Sequence, residues 1–146
     1  MERVTRCIIK NKDEKIILVK HKGKNFWVLP GGHIEKKENI YTAIKREIKE
    51  ELGVNIKIIG KKLGLDVDGV KEKPLPICIY KLDAKNKKGK KENRLEYIFF
   101  AKIKDEIIKT QIDEVDEYKW FLPEEIEALE DTYGSVKGLV KIVFNK

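Results

Sequence analysis

The chain has 146 residues, 41% of them hydrophobic and 39% charged, with a formal net charge of +7. That length and balance suit one folded domain over residues 1–146 and argue against a disordered or low-complexity chain. No apolar run approaches the roughly 18 residues of a membrane span, and the first residues lack a secretory pattern, so a cytoplasmic protein without a membrane partner is expected.

Residues 4–10 and 15–20 read as strands separated by the turn formers Asn11, Lys12 and Asp13. Phe26, Trp27, Val28 and Leu29 form a short apolar strand that stops at Pro30, Gly31 and Gly32. Asn39 is placed to cap a helix running to about Leu52, with Gly53 as its stop. Residues 56–65 suggest the next strand, followed by a turn-rich stretch over 66–73. Residues 77–82 and 95–103 pair as a hairpin, and residues 117–122 form a final strand. Pro123, with Glu124 and Glu125 behind it, opens a helix to about Glu130. Residues 135–144 read as a C-terminal helix, although their Val and Ile content also suits a strand. The irregular alternation predicts an α+β fold, a mixed sheet with helices packed on it. Cys7 and Cys78 sit in apolar runs and are expected to be free thiols.

The helix over residues 40–52 carries the chemistry. At about 100° per residue, Ile40, Ile44, Ile48 and Leu52 drift slowly around one arc, the buried stripe. Lys45 and Lys49 fall on the solvent side, whereas Glu47, Glu50 and Glu51 flank the stripe on one edge. Acids stacked three and four residues apart repel one another by a few tenths of a kcal/mol per pair. Arg46 lies one turn before Glu50 and can hold it. A divalent cation would convert the remaining repulsion into coordination, and a set of oxygen ligands suits Mg²⁺ or Mn²⁺. An ordinary solvated, charged helix face is the competing reading.

Gly32, Glu38 and the run Arg46-Glu47-Ile48-Lys49-Glu50-Glu51-Leu52-Gly53-Val54 match every defined position of the Nudix box over residues 32–54. The approach Trp27-Val28-Leu29-Pro30-Gly31 and the downstream Trp120 with Pro123-Glu124-Glu125 also resemble the Nudix hydrolase family. The resemblance implies a mixed β-sheet sandwiched between α-helices and the metal-dependent hydrolysis of a nucleoside diphosphate linked to another group. Carried over by position, Glu47, Glu50 and Glu51 would ligate metal, with the backbone carbonyl of Gly31 as a further ligand. Arg46 would orient the glutamates, Glu38 would brace the loop before the helix, and Gly32 and Gly53 would shape its two ends. Glu51 is a candidate general base, and so is Glu114 in the run 111–114, which also reads as a solvated loop acid.

The substrate is not legible in the box. The proline typical of ADP-ribose hydrolases would fall near Gly69, and the tyrosine of dinucleoside polyphosphate hydrolases has Tyr80 as its nearest match. The expectation is therefore a small nucleotide, a nucleoside triphosphate cleaved to monophosphate and pyrophosphate, and no nucleic acid. A nucleotide sugar, ADP-ribose or an RNA 5′ end is the alternative, and a nucleotide-sensing domain without catalysis is an alternative of another class. Family members are often homodimers, so a homodimer is a further expectation.

Phe26, Trp27, Tyr97 and Phe99 are candidates for stacking on a base, although aromatics in strands are mostly core. His33 follows Gly32 at the mouth of the site and reads as a solvated loop residue, with His21 the other histidine of interest. The basic stretch 85–94 reads as a solvated hairpin loop, with phosphate contact as the alternative.

Overall fold

The computed structural model describes residues 1–85, 88–104, 108–110 and 114–144. Seven strands and three helices follow in the order β1 (Glu2–Lys10), β2 (Ile16–His21), β3 (Gly31–His33), α1 (Ile40–Leu52), β4 (Ile56–Ile59), β5 (Cys78–Lys85), β6 (Lys91–Ile103), β7 (Val115–Phe121), α2 (Pro123–Glu127) and α3 (Gly134–Phe144). The strands make one sheet in the order β4-β6-β1-β2-β7, with β3 also on β1 and β5 also on β6. The β1–β6 pair is parallel and the remaining pairs are antiparallel, so the sheet is mixed.

Both faces of this sheet are covered, which explains why its central strands read as near-continuous apolar runs. Cys7, Ile9, Phe99 and Ala101 point to one face and pack with Ile44, Ile48 and Leu52 of α1. Ile8 and Ile98, one residue out of phase, point to the other face and pack with Ile126 of α2 and with Val136 and Val140 of α3. Burial pushes the Cys7 thiol well above its ordinary range, and both cysteines are free. The α+β sandwich is thus present, and residues 134–144 take the helical option.

Several elements differ from the sequence reading, three of them for a reason of pairing. Residues 26–29 form only isolated bridges, Trp27 to Thr132 and Val28 to Val19, and the strand appears instead at Gly31–His33. Its pairing with Val4–Arg6 brings the backbones very close. A Cβ on Gly31, whose φ is 145°, would lie 2.1 Å from the Thr5 carbonyl oxygen. β4 stops at Ile59 because β5 takes over the same edge of β6, starting where the Ile77 N–H meets the Ile98 carbonyl. The hairpin is longer than expected, so Lys91 to Arg94 lie in a strand, and residues 86 and 87 of the basic stretch fall outside the described residues. α2 ends at Glu127, a turn early.

Candidate active site

α1 starts where expected. The Asn39 side chain accepts the Thr42 N–H at 2.8 Å, and Gly53, left-handed at φ 68°, returns its N–H to the Lys49 carbonyl. Ala43, Ile44, Ile48, Glu51 and Leu52 are buried, whereas Lys45 and Lys49 are exposed. Glu51 therefore does more than flank the apolar stripe: it lies within it, 2% exposed.

A buried carboxylate needs partners. Glu51 Oε1 accepts the Gly31 N–H at 2.8 Å, and Oε2 is in contact with Nε2 of His21. His21 ends β2 at an irregularity in the β2–β7 register, which turns its side chain toward α1. Glu47 lies under Gly32, where a Cβ would come within 2.7 Å of the carboxylate carbon. Glycine at 32 therefore leaves room for an acid, as glycine at 31 leaves room for a neighbouring strand.

Arg46 organises the rest. Its Nε and Nη2 grip Glu38 at 2.6 and 2.9 Å, and Nη1 reaches Glu47 and Glu50, both at 3.1 Å. Nη2 also donates to the His33 carbonyl at 3.2 Å, and Glu38 accepts the Glu35 N–H at 2.9 Å. One guanidinium thus ties the loop before the helix to two of its acids. The Glu38 bond holds Arg46 firmly protonated, and the reciprocal bond keeps Glu38 below the usual carboxylate range.

The acids still repel one another. Burial, followed by the charge of Glu51, pushes Glu47 up to about 7. Glu114, exposed just before β7, is also raised, by desolvation and then by Glu50 and Glu51, with His21 opposing. Its approach is fixed by the Lys22 N–H on its carbonyl at 2.9 Å, whereas residues 111–113 lie outside the described residues. Four carboxylates, with the Arg46 guanidinium and the His21 imidazole beside them, form a donor set suited to a divalent ion. Surface concavities lined by Lys45, Asn55, Ile56 and Lys104, and by Glu127, Lys137, Gly138 and Lys141, include none of these acids.

The family model of the NUDIX domain matches residues 1–140. The chain belongs to the Nudix family. A curated Nudix relative, the RNA pyrophosphohydrolase of Pelagibacter ubique (strain HTCC1062), is 32% identical over 94% of this chain and 90% of its own. An 8-oxo-dGTP diphosphatase of Buchnera aphidicola is 55% identical over 31 residues, 21% of this chain and 25% of its own. Among solved structures, a NUDIX family hydrolase from Clostridium perfringens superposes with a TM-score of 0.80 at 22% identity, covering 98% of this chain and 95% of its own. The protein is a Nudix hydrolase, an enzyme of the pyrophosphohydrolase type.

The remaining sequence candidates in this Nudix domain divide clearly. Trp27 and Phe99 are core, Tyr97 is partly buried, and Phe26 is 39% exposed beside Tyr133. His33 sits at the end of β3, its Nε2 3.2 Å from Glu92, with Glu2 completing a small cluster at the sheet rim. Tyr80 donates to the buried Glu96 at 2.8 Å. His21 is the residue that sequence reasoning left without a place. Its only signal was a histidine at the end of a strand, and nothing local ties position 21 to position 51. Among the described residues, no helix is long and apolar enough to cross a membrane.

Proposed function

We propose that this enzyme hydrolyses the pyrophosphate linkage of a nucleoside 5′-triphosphate group, releasing pyrophosphate and leaving a 5′-monophosphate, with Mg²⁺ as cofactor and Mn²⁺ able to replace it. The observation that carries this reading is the convergence of Glu47 and Glu51 on the Gly31–Gly32 backbone, with Arg46 fixing Glu47 and Glu50 from the other side. Glu47, Glu50, Glu51 and the Gly31 carbonyl would hold the metal. When bound, it supplies charge neutralisation at the phosphoryl oxygens and a lowered pKa for water.

This chain's own groups account for the remaining steps. Glu51, joined to His21 and the Gly31 N–H, is the base we assign to the attacking water, with Glu47, raised to about 7, and Glu114, also raised above the usual carboxylate range, as the other nearby acids. Arg46 and Glu38 act by position, keeping the acids in place for the metal.

The triphosphate could be carried by a free nucleotide or by the 5′ end of an RNA, since the bond cleaved is the same. The likeness to an RNA pyrophosphohydrolase over 94% of the chain supports the second carrier, and the local likeness to an 8-oxo-dGTP diphosphatase supports the first. An assay of pyrophosphate release with Mg²⁺ tests both, using nucleoside triphosphates in one arm and 5′-triphosphorylated RNA in the other. Turnover in either arm supports the reading. Tight binding without turnover in both would replace it with a nucleotide sensor.

A further inference from the structure

Glu2, His33 and Glu92 come from the ends of three strands, β1, β3 and β6, and meet on one face of the sheet. Their placement follows from register. Glu2 lies across from Arg94 and Val4 across from Glu96, so Glu92, two residues before Arg94, shares the face of Glu2 and Val4. His33 lies across from Val4 on the other side of β1 and projects to that same face. It is the face of Ile8 and Ile98, turned away from α1, so the sheet stands between these three side chains and the acids of that helix.

One carboxylate oxygen of each glutamate and a ring nitrogen of His33 all lie within 4.8 Å of one another. Nε2 of His33 stands 3.2 Å from Glu92 Oε1. Ligands bonded at about 2.1 Å to one ion stand roughly 3–3.5 Å apart, so the exposed Glu2 side chain has only a short adjustment to make. The backbone beneath is already set. The Ile34 N–H bonds the Arg3 carbonyl at 2.8 Å, and Arg46 Nη2 holds the His33 carbonyl at 3.2 Å. An ion would therefore order three side chains and no segment of chain.

Charge decides which ion. Glu2 and Glu92 repel one another, while Arg94 Nε, 3.8 Å from Glu92 Oε1, is too far to hydrogen-bond that oxygen but offsets part of its charge. Attraction by charge alone is thereby weakened, and the imidazole bond must carry much of the affinity. That disfavours Mg²⁺, which prefers oxygen and keeps its waters, and favours first-row ions that bond nitrogen, such as Zn²⁺.

We infer that Glu2, His33 and Glu92 form a second metal site, separate from the acid cluster of α1, for a nitrogen-bonding divalent ion of the zinc class. The ion bonds Nε2 of His33 and one oxygen from each glutamate, water completes its shell, and the end of β3 is tied to β1 and β6.

The test uses the two histidines of the chain as reporters. Imidazole ¹⁵N resonances of His21 and His33 are followed as Zn²⁺ is added to the full chain, with Mg²⁺ in excess to occupy the acid cluster. His21, beside Glu51, reports on that cluster separately. The Nε2 signal of His33 should move and saturate at one equivalent of Zn²⁺. Glu2→Gln and Glu92→Gln should each weaken this binding by about 10-fold or more, at least the loss seen when a group supporting a metal ligand is removed. Thermal unfolding checks that each variant is folded, and the exposed position of Glu2 makes Glu2→Gln decisive if Glu92→Gln does not fold. A His33 signal unmoved by excess Zn²⁺, or one whose affinity is the same in Glu2→Gln, would overturn the inference and leave the His33–Glu92 contact an ordinary hydrogen bond. No nucleotide enters the experiment, so it stands apart from the hydrolase reading.

Discussion

The imidazole of His21 lies against the carboxylate of Glu51, thirty residues away in sequence, and the acid it meets is 2% exposed. In the metal-free protein this contact and the Gly31 N–H are the partners of that buried carboxyl group among the described residues. Replacing His21 by Ala should lower stability by about 1–3 kcal/mol, the usual cost of stripping a partner from a buried polar group. Saturating Mg²⁺ should recover much of the loss, because the ion takes over the compensation. Thermal unfolding with and without Mg²⁺ checks this, and an equal loss in both conditions would refute it.

Glu51→Gln keeps the shape of the side chain and removes its capacity to take a proton. A loss of roughly 10²- to 10⁴-fold in kcat is expected, in line with general-base contributions. Near-normal turnover would assign that task to Glu47 or Glu114 instead.

Glu47 makes a prediction about pH. Its pKa is raised from 4.5 to about 7 by burial and by Glu51, so the folded, metal-free protein prefers it protonated. The stabilisation is complete below about pH 4.5 and is lost as pH rises through about 7, a contribution of order 3 kcal/mol. Metal-free protein should therefore lose stability from pH 5 to 8, and Glu47→Gln should flatten that slope. Mg²⁺ binding should weaken below pH 7, since it must displace this proton. A titration that finds no proton release on metal binding at pH 6.5 would count against it.

Arg46 is gripped by Glu38 through two nitrogens and also reaches Glu47, Glu50 and the His33 carbonyl. Lysine cannot reproduce that fork. Arg46→Lys should weaken metal affinity by roughly 10- to 100-fold, the range for groups that orient ligands. Isothermal titration with Mn²⁺ reads it directly, and unchanged affinity would show that the acids hold their positions alone.

The two adjacent glycines should fail in different ways. Gly31→Ala drives a Cβ to within 2.1 Å of the Thr5 carbonyl oxygen, backbone against backbone, so the β1–β3 pairing and stability should suffer. Gly32→Ala meets the Glu47 carboxylate instead, 2.7 Å away, and a side chain can move. It should fold with less disturbance and lose activity through a displaced Glu47. Comparing unfolding temperature with kcat for the pair separates the two effects.

The helix of the candidate site was readable because its signals are local. Asn39, Gly53 and the spacing of Ile44, Ile48 and Leu52 act within a few turns, and α1 has the limits they imply. β3 was not readable, since Gly31, Gly32 and His33 have no strand preference and become a strand only because the edge of β1 offers them partners. β4 was read too long for the same kind of reason: which strand occupies an edge of β6 depends on residues twenty positions further on.

Residues 32–54, read by themselves, determined the family and the class of reaction, because a box of fixed spacing places its acids on one edge of one helix and helix geometry is local. What only the tertiary structure decided is how those acids are compensated. Glu51 turned out to be buried rather than flanking, His21 came to it from β2, and Gly32 came to Glu47 from β3. Contacts between strands far apart in sequence follow from sheet order and register, and those are set by the whole chain packing at once.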